Sequence, residues 1–346
     1  MITRRNALLG AAVLLAGSGS ARADDTKPEV AKLSLGFGID PPFAPHIVAM
    51  QKGWFKEAGF ADVQTKSFTA GALAGEALMS GDIHLWTPGN LPPISMAHNG
   101  APVVVVGTNC VNWNLEKLVV RRDANIAKPE DLYRIKIGLL QGSTSSSFLY
   151  YLAKHYGLDE KRLQVVNLPP PEQLASLTSN ATQGLLCWEP WPVRAVDSSQ
   201  AIVIHTGSTS EFAANAGQKV KVSDNRSVFA ISQELARSKP RTVQAMMGVM
   251  VRAQKYVADP KNREEVIKLF SDFQKQDSAL NRKIWDNYVF NPVFDQDYVS
   301  DMEHTAAFLE ATGRVKKHLN VLDYTYTGPF ATIDHALVKV AGHWKP

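Results

Sequence analysis

The sequence contains few cysteines and lacks the motifs that mark common enzymes and nucleotide-binding proteins. Its 346 residues include two cysteines, Cys110 and Cys187. Each lies at the end of an apolar run, so we expect two buried free thiols, while a disulfide between them stays open because sequence does not give their separation. The patterns Gly-x-Ser-x-Gly, His-Glu-x-x-His, Cys-x-x-Cys and Gly-x-x-x-x-Gly-Lys are absent, and the nine histidines lack the spacing of metal ligands. The sequence therefore predicts no metal site and no cofactor.

The chain also lacks an apolar run long enough to cross a bilayer as a stable helix. Its N-terminal run, Ala7 to Ala16, follows Arg4-Arg5 and precedes Ala21-Arg22-Ala23, which has the small-x-small form of a signal-peptidase site. We therefore expect residues 1–23 to be a signal peptide, cleaved near Ala23, that exports the chain to the periplasm. The arginine pair resembles a twin-arginine signal, but Ala7 and Leu9 depart from it, so Sec and Tat export both stay open.

Once this leader is removed, the chain has almost no excess of charge of either sign. The whole chain has 37 Lys and Arg against 33 Asp and Glu. Loss of Arg4, Arg5 and Arg22 leaves 34 basic and 33 acidic residues, a net charge of +1. That balance gives no reason to expect nucleic acid or an anionic membrane surface as a partner. A hydrophobic content of 45% is that of a globular protein with enough apolar material for two lobes.

Strand patterns alternate with helical patterns along most of the chain. The Val run from Pro102 to Gly107 has the uniform apolar character of a strand buried on both faces of a parallel sheet. Strands from Ile135 to Leu140, Gln164 to Leu168 and Gly184 to Trp188 are separated by helical stretches. This alternation predicts an α/β fold with parallel, doubly wound sheets.

The order of these elements predicts two lobes. We expect residues 24–118 and 219–346 to form a discontinuous first lobe that includes the C-terminal helices, and residues 119–218 to form the second. The chain should cross between the lobes near Glu116 to Arg121 and near residues 215–228.

Two strand-to-helix junctions carry small or polar residues. After one strand, Gly142 breaks the chain and Ser143-Thr144-Ser145-Ser146 opens a helix. The first turn of a helix has unpaired N–H groups and a partial positive charge, so this junction is a candidate anion site. Gly89-Asn90, ahead of Pro92-Pro93, opens another helix. Taken alone, a Ser-rich junction is better explained as a helix cap, and Asn90 is equally well explained as a turn former.

Six short sequence motifs occur along the chain in a fixed order, and this order identifies a protein family more specifically than any single motif does. They are Ala49-Met50-Gln51-Lys52-Gly53-Trp54-Phe55-Lys56-Glu57-Ala58-Gly59, Ala77-Leu78-Met79-Ser80-Gly81-Asp82-Ile83, Lys128-Pro129-Glu130-Asp131-Leu132, Gly142-Ser143-Thr144-Ser145, Val165-Val166-Asn167-Leu168 and Trp188-Glu189-Pro190-Trp191. In this order they resemble the periplasmic solute-binding proteins of ABC importers, in the nitrate, sulfonate and taurine branch. His84 and Ala181-Thr182-Gln183 depart from the usual acidic residues of that branch, which weakens assignment to one subfamily.

The resemblance implies a type II periplasmic-binding-protein fold, in which two doubly wound α/β lobes enclose a ligand cleft. In that fold the Ser143 to Ser146 turn and the Gly89-Asn90 turn face each other across the cleft, at the carboxyl ends of strands. Ser143, Thr144 and Ser145 would then donate hydrogen bonds to a small anion from one side, and Gly89 and Asn90 from the other. Donors without a cation suit a monoanion such as a sulfonate.

A carboxylate and several aromatic rings complete the predicted site. Glu189 lies between two tryptophans, where it either pairs with a ligand ammonium group, which favours taurine-like compounds, or forms a structural salt bridge, for example to Arg194. The rings on the predicted cleft side belong to Phe43, Trp86, Trp113, Trp188 and Trp191. Core packing is the better interpretation for Trp188. We expect at least two of the five to line the cleft and the ligand to be larger than nitrate.

Together these features predict a binding protein without enzymatic activity. It would capture a small organic anion, above all an aliphatic sulfonate or a taurine-like compound, as a monomer, and deliver it to an inner-membrane ABC permease and its ATPase. Nitrate, an aromatic carboxylate and a pyrimidine or vitamin precursor stay open as ligands, and a sensor module shares the fold. A secreted hydrolase with Ser143 or Ser145 as nucleophile is the alternative, but it needs a histidine base, and His155 falls at the far end of the same helix.

Overall fold

The computed structural model describes residues 27–198, 200–315 and 318–346, and the predicted signal peptide lies outside these ranges. The strands are β1 (Lys32–Phe37), β2 (Asp62–Ser67), β3 (Val103–Val111), β4 (Glu116–Arg121), β5 (Lys136–Leu139), β6 (Gln164–Asn167), β7 (Gly184–Trp188), β8 (Ala201–Thr206), β9 (Arg226–Ser232) and β10 (Val289–Phe290). The helices are α1 (Ala44–Gln51), α2 (Trp54–Glu57), α3 (Gly75–Met79), α4 (Leu91–His98), α5 (Thr144–His155), α6 (Pro170–Thr178), α7 (Trp191–Ser198), α8 (Gln233–Ser238), α9 (Pro240–Ala258), α10 (Arg263–Gln274), α11 (Ser278–Ile284), α12 (Gln296–Ala311) and α13 (Gly328–Ile333). None of these helices is both long enough and apolar enough to cross a membrane.

Five strands form one sheet, in the order β6-β5-β7-β4-β8. β5 pairs in parallel with β6 and β7, as the alternating pattern predicts, and α5 and α6 connect these strands. β4 and β8 run antiparallel to their neighbours. β4 itself lies wholly within this sheet, and the connection that leads into it, residues 112–115, directly precedes the segment predicted to cross between the lobes. The chain enters the sheet after Val111 and leaves it after Thr206.

The remaining strands form a second layer of sheet. β1 and β2 pair in parallel, and β3 pairs antiparallel with β9 and β10. Single bridges, Leu35 to Leu85 and Trp86 to Ala230, connect β1 to β9 through the segment between α3 and α4. The Val run of β3 is buried as predicted, but its neighbours are antiparallel. Its apolar character reflects helices packed on the sheet, such as α4 and α9, and not the direction of the strands.

The buried apolar side chains form one cluster around the first set of strands and two around the five-stranded sheet. The largest cluster joins the N-terminal and C-terminal segments, since it contains Leu33 of β1, Val104 of β3 and Met250 of α9. Leu118 and Val119 are neighbours in β4 but belong to the two different clusters of the five-stranded sheet, because successive strand residues face opposite sides. The predicted lobe boundaries, at residues 118/119 and 218/219, stay a prediction.

The two cysteines are free and buried, as the sequence predicted. Burial raises the pKa of both thiols above the ordinary value, so both are uncharged at neutral pH.

Candidate functional site

The junction between β5 and α5 places the first turn of α5 at a cleft between the two sheets. Gly142 makes the turn with a φ of 79°, which glycine adopts readily. Ser143 is the N-cap and lines the cleft with Thr144. The Ser143 hydroxyl donates to the Leu140 carbonyl oxygen at 2.6 Å and accepts no capping bond from α5. The first amides of α5 are therefore left without a side-chain cap, next to the partial positive charge of the helix.

The hydroxyl groups that follow are bonded to a buried carboxylate, that of Glu116 in β4. Thr144 Oγ1 and Ser145 Oγ donate to Glu116 Oε1 at 2.6 and 3.1 Å, and Ser223 Oγ donates to Glu116 Oε2 at 3.2 Å. Burial raises the pKa of Glu116, and these hydrogen bonds oppose the rise. The Thr144 and Ser145 hydroxyls are bonded to Glu116 and Ser146 does not line the cleft, so the donors that we assign to a ligand at this turn are its backbone N–H groups.

The start of α4 lies against the start of α5. Gly89 lines the cleft, and a Cβ atom on it would lie 3.1 Å from Thr144 Cγ2. Asn90 does not line the cleft: it is fully buried, and its Nδ2 donates to Thr305 Oγ1 at 2.8 Å. Pro92-Pro93 has no N–H group. The predicted turns are therefore together. The α4 turn lacks two of its first N–H groups, and the expectation that the Asn90 side-chain amide donates to a ligand does not fit this geometry.

Glu189, the second polar residue of the predicted site, also lies away from the cleft. Its side chain is fully buried, and one carboxylate oxygen forms an ion pair with Lys117 Nζ. The other oxygen accepts from the Val193 N–H at 3.1 Å. Arg194, the salt-bridge partner considered from the sequence, instead lies over the Trp191 ring, 5.0 Å from its centroid. The structure supports the structural salt bridge, with Lys117 as partner, because both carboxylate oxygens are occupied.

Two of the five candidate rings line the cleft, those of Phe43 and Trp188. Trp188 lines the cleft and also packs, half-buried, against two core clusters, so the expectation of core packing holds in part. Trp86 is buried, with its indole N–H donated to a backbone carbonyl, and Trp191 packs in a core cluster. Trp113 is 38% exposed and lies beside a different groove. The orientation of each ring depends on its neighbours across the fold, which the position of a tryptophan at a strand end does not reveal.

Asp40 is a cleft residue that the sequence reasoning missed. It follows β1, in the loop that leads to Phe43, and lines the cleft. No Lys, Arg or His is among the described residues that line the cleft, and none of them forms an ion pair with Asp40. Burial raises the pKa of Asp40 to about 7. Its position directly after a strand, where open α/β sheets bind ligands, is the signal that could have found it.

Two asparagines of the cleft present hydrogen-bond acceptors. Asn112 and Asn225 line the cleft and are almost fully buried, and their Oδ1 atoms have no hydrogen-bond partner among the described residues. Asn225 Nδ2 donates to Thr144 Oγ1 at 3.1 Å, which fixes the orientation of its amide. In residues 27–198, 200–315 and 318–346, no three His, Cys, Asp or Glu side chains gather as metal ligands would.

The sequence is related to several binding proteins. It matches the model of the NMT1-like family over residues 26–271. It is 28% identical over 277 residues to the taurine-binding periplasmic protein of Escherichia coli (strain K12), with 78% of each chain covered. It is 26% identical over 271 residues to the nitrate/nitrite binding protein NrtA of Nostoc sp. (strain PCC 7120). That match covers 72% of this chain and 59% of NrtA.

The structure is similar to that of the alkanesulfonate-binding protein SsuA from Xanthomonas axonopodis pv. citri. The TM-score is 0.72 at 20% identity, over 87% of this chain and 99% of that chain. This likeness confirms the predicted α/β, type II periplasmic-binding-protein fold. Because the family model matches well over half of the 346 residues, this chain belongs to the NMT1-like family.

Proposed function

We propose that this chain is the periplasmic solute-binding component of an ABC importer and that its cleft captures a small organic anion of the sulfonate class, such as an aliphatic sulfonate or a taurine-like compound. It binds the solute as a monomer, after export and cleavage near Ala23, and delivers it to an inner-membrane permease and its ATPase. This assignment is supported by the similarity of the chain to proteins named as taurine-binding and alkanesulfonate-binding.

The observation that carries the proposal is the uncapped start of α5 at the cleft. The Ser143 hydroxyl donates a hydrogen bond to the Leu140 carbonyl oxygen and accepts none from the helix. The first amides of α5, at the cleft, therefore have no side-chain cap. Backbone N–H groups at a helix start bind sulfonate or phosphate oxygens without a cationic side chain. The Phe43 and Trp188 rings add apolar walls, which favour an organic sulfonate over an ion as small as nitrate.

The same contacts favour binding over hydrolysis. A serine nucleophile needs a base within hydrogen-bond reach of its hydroxyl. The Ser143 hydroxyl donates to a backbone carbonyl, and no histidine is found among the described residues that line the cleft. The Ser145 hydroxyl donates to the Glu116 carboxylate, but Ser145 is fully buried and does not line the cleft, so a solute cannot reach it. We therefore propose that the protein releases its solute unchanged.

Two substitutions at Ser143 test whether the α5 amides hold the anion. Ser143→Asp places a carboxylate at the N-cap, where it accepts from the free amides and occupies the anion position with negative charge. We expect taurine and ethanesulfonate to lose about 100-fold in affinity, since two hydrogen bonds to a charged oxygen are worth about 3 kcal/mol. The melting temperature should stay close to that of wild type, because the new N-cap bond offsets the lost bond to the Leu140 carbonyl. Calorimetry, after a thermal-shift screen that includes nitrate, benzoate and sulfate, measures the affinities.

Ser143→Ala is the matched control. It removes the hydroxyl but leaves the amides open, so affinity should change by no more than about threefold, while stability falls by about 1 kcal/mol from the lost bond to Leu140. Equal affinities for wild type and Ser143→Asp would remove α5 from the proposal. A screen in which no sulfonate raises the melting temperature would contradict the sulfonate class.

A further inference from the structure

We infer that Asp40 forms a subsite for a positively charged amino group, so that the solute captured by this cleft carries a cationic nitrogen beside its anionic group. The inference rests on the proposed function, because it concerns the same cleft. It narrows the solute from organic anions in general to zwitterions such as aminosulfonates.

The first argument is charge. Two nearby carboxylates are neutralised inside the protein, Glu189 by Lys117 and Asp301 by Arg226, whose Nη2 lies 2.9 Å from Asp301 Oδ2. Asp40 has no such partner among the described residues, and it is the charged residue that lines the cleft. A plain anion entering this cleft is repelled by the Asp40 carboxylate, whereas an ammonium group supplies the charge that the carboxylate lacks.

The second argument is hydrogen bonding. The Oδ1 atoms of Asn112 and Asn225 are buried acceptors without a partner in the described part of the chain. An unmade hydrogen bond of this kind is costly, and such groups in native proteins need an explanation. An alkylammonium carries three N–H donors and no acceptor, so it can satisfy a carboxylate and buried amide oxygens that line the same cleft. A sulfonate alone has no donor and leaves all of these acceptors unsatisfied.

The third argument is the position of the rings. Phe43 follows Asp40 by three residues and lines the same cleft, as does Trp188. Aromatic faces attract ammonium groups, and the attraction grows when water is excluded. Asp40, with its negative charge, follows β1. The start of α5, with its N–H groups, follows β5, which belongs to the other sheet that borders the cleft. A zwitterion therefore bridges the two sheets with opposite charges at its ends.

The test compares two ligands that differ by one amino group, taurine and ethanesulfonate, on wild type and Asp40→Asn at pH 7.5. We expect wild type to bind taurine at least tenfold more tightly. Asp40→Asn should weaken taurine binding by 10- to 100-fold and leave ethanesulfonate unchanged or tighter, because the repulsive charge is gone. Asp62→Asn, an exposed carboxylate on β2, is the control and should change neither affinity.

A pH series on wild type gives the same answer without a mutation. Between pH 5.5 and 7.5 Asp40 ionises, so affinity should rise for taurine and fall for ethanesulfonate. The titratable groups around Asp40 are Cys110 of β3, Cys187 of β7, Tyr288, His46 of α1, Glu116 of β4 and the Lys117-paired Glu189. Burial holds the pKa values of the two thiols and of Tyr288 well above this range and that of His46 at about 3, so these four stay uncharged.

The outcomes separate the two proposals. If taurine and ethanesulfonate bind wild type equally, or if Asp40→Asn weakens both by the same factor, the amino-group subsite is overturned while sulfonate binding stands. If both ligands lose affinity with rising pH, the subsite is likewise overturned. If neither binds wild type, the proposed function fails, and this inference fails with it.

Discussion

Carboxylates near the cleft differ in what neutralises them. Glu189 is paired with Lys117, and Glu116 accepts hydrogen bonds from three hydroxyl groups but has no cation beside it. Asp40 has neither kind of partner from a side chain among the described residues. The cost of this arrangement is greatest when the cleft is empty, because a ligand can supply what the protein does not.

Asp40 should make the ligand-free protein less stable as the pH rises. Its folded-state pKa of about 7 lies above the ordinary value of 3.8, so its stability contribution is complete below pH 4 and is lost between pH 4 and pH 7. Each pKa unit corresponds to about 1.4 kcal/mol, so the loss is a few kcal/mol. Asp40→Asn should therefore melt several degrees above wild type at pH 8, and this advantage should be smaller at pH 4.

Differential scanning calorimetry of both proteins at the two pH values measures this difference, and the other carboxylates cancel because both proteins share them. Asp62→Asn, on the exposed surface of β2, should show the same melting temperature as wild type throughout. An Asp40→Asn advantage that is equal at pH 4 and pH 8 contradicts a raised pKa at Asp40.

The first turn of α5 is held by a single buried side chain. Glu116, the first residue of β4, holds Thr144 and Ser145 of α5 and also Ser223, in the segment that returns the chain to β9. One carboxylate thus ties the first turn of α5, the proposed anion site, to both connections between the sheets. The turn owes its placement to this contact as well as to the strand that precedes it.

Glu116→Ala should destabilise the protein because it leaves three buried hydroxyl groups without an acceptor. At about 1 kcal/mol or more for each, the melting temperature should fall by roughly 5 to 10 °C. Glu116→Gln keeps a carbonyl acceptor and the shape of the protonated acid, which the raised pKa favours, so we expect it to lie within about 1 kcal/mol of wild type. Thermal unfolding of the two variants checks this, and equal melting temperatures for Ala and Gln would contradict the role of Glu116 as an acceptor.

The two halves of the molecule also touch away from the cleft. Tyr151 of α5 donates its hydroxyl proton to the carbonyl oxygen of His304 in α12 at 2.7 Å, and the two rings lie 3.8 Å apart between centroids. α5 belongs to the five-stranded half, whereas the buried side chains of α12 belong to the largest core cluster. This contact stabilises the arrangement in which the halves are close together.

Tyr151→Phe should therefore shift the ligand-free protein towards a more open form. One neutral hydrogen bond is worth about 0.5 to 1.5 kcal/mol, so affinity for the sulfonate should fall by about two- to twelvefold, because binding must also close the cleft. Small-angle scattering should show a larger ligand-free radius of gyration and the same radius when ligand is saturating. Tyr133→Phe, whose hydroxyl bonds within one half to the Asp159 N–H, is the matched control. Identical radii for wild type and Tyr151→Phe without ligand would contradict this role.

The sequence by itself determined the fold class and several of the residues at the cleft. Alternating strand and helix patterns predicted the α/β architecture, because side-chain periodicity is local. Phe43 follows β1, and Ser143 and Thr144 follow β5, but the meeting of the Gly89 and Ser143 turns at the cleft was what the family resemblance implied. The free thiols were equally local, since each cysteine ends an apolar run.

Only the tertiary structure decided where the polar groups of these residues point. Asn90 donates to Thr305, 215 residues away, and Glu189 pairs with Lys117, 72 residues away. Hydrogen-bond direction and charge compensation are properties of contacts between distant segments, and no periodicity encodes them. For the same reason the hydroxyls expected to serve an anion are bonded to Glu116, and the unpaired cleft carboxylate is Asp40 and not Glu189.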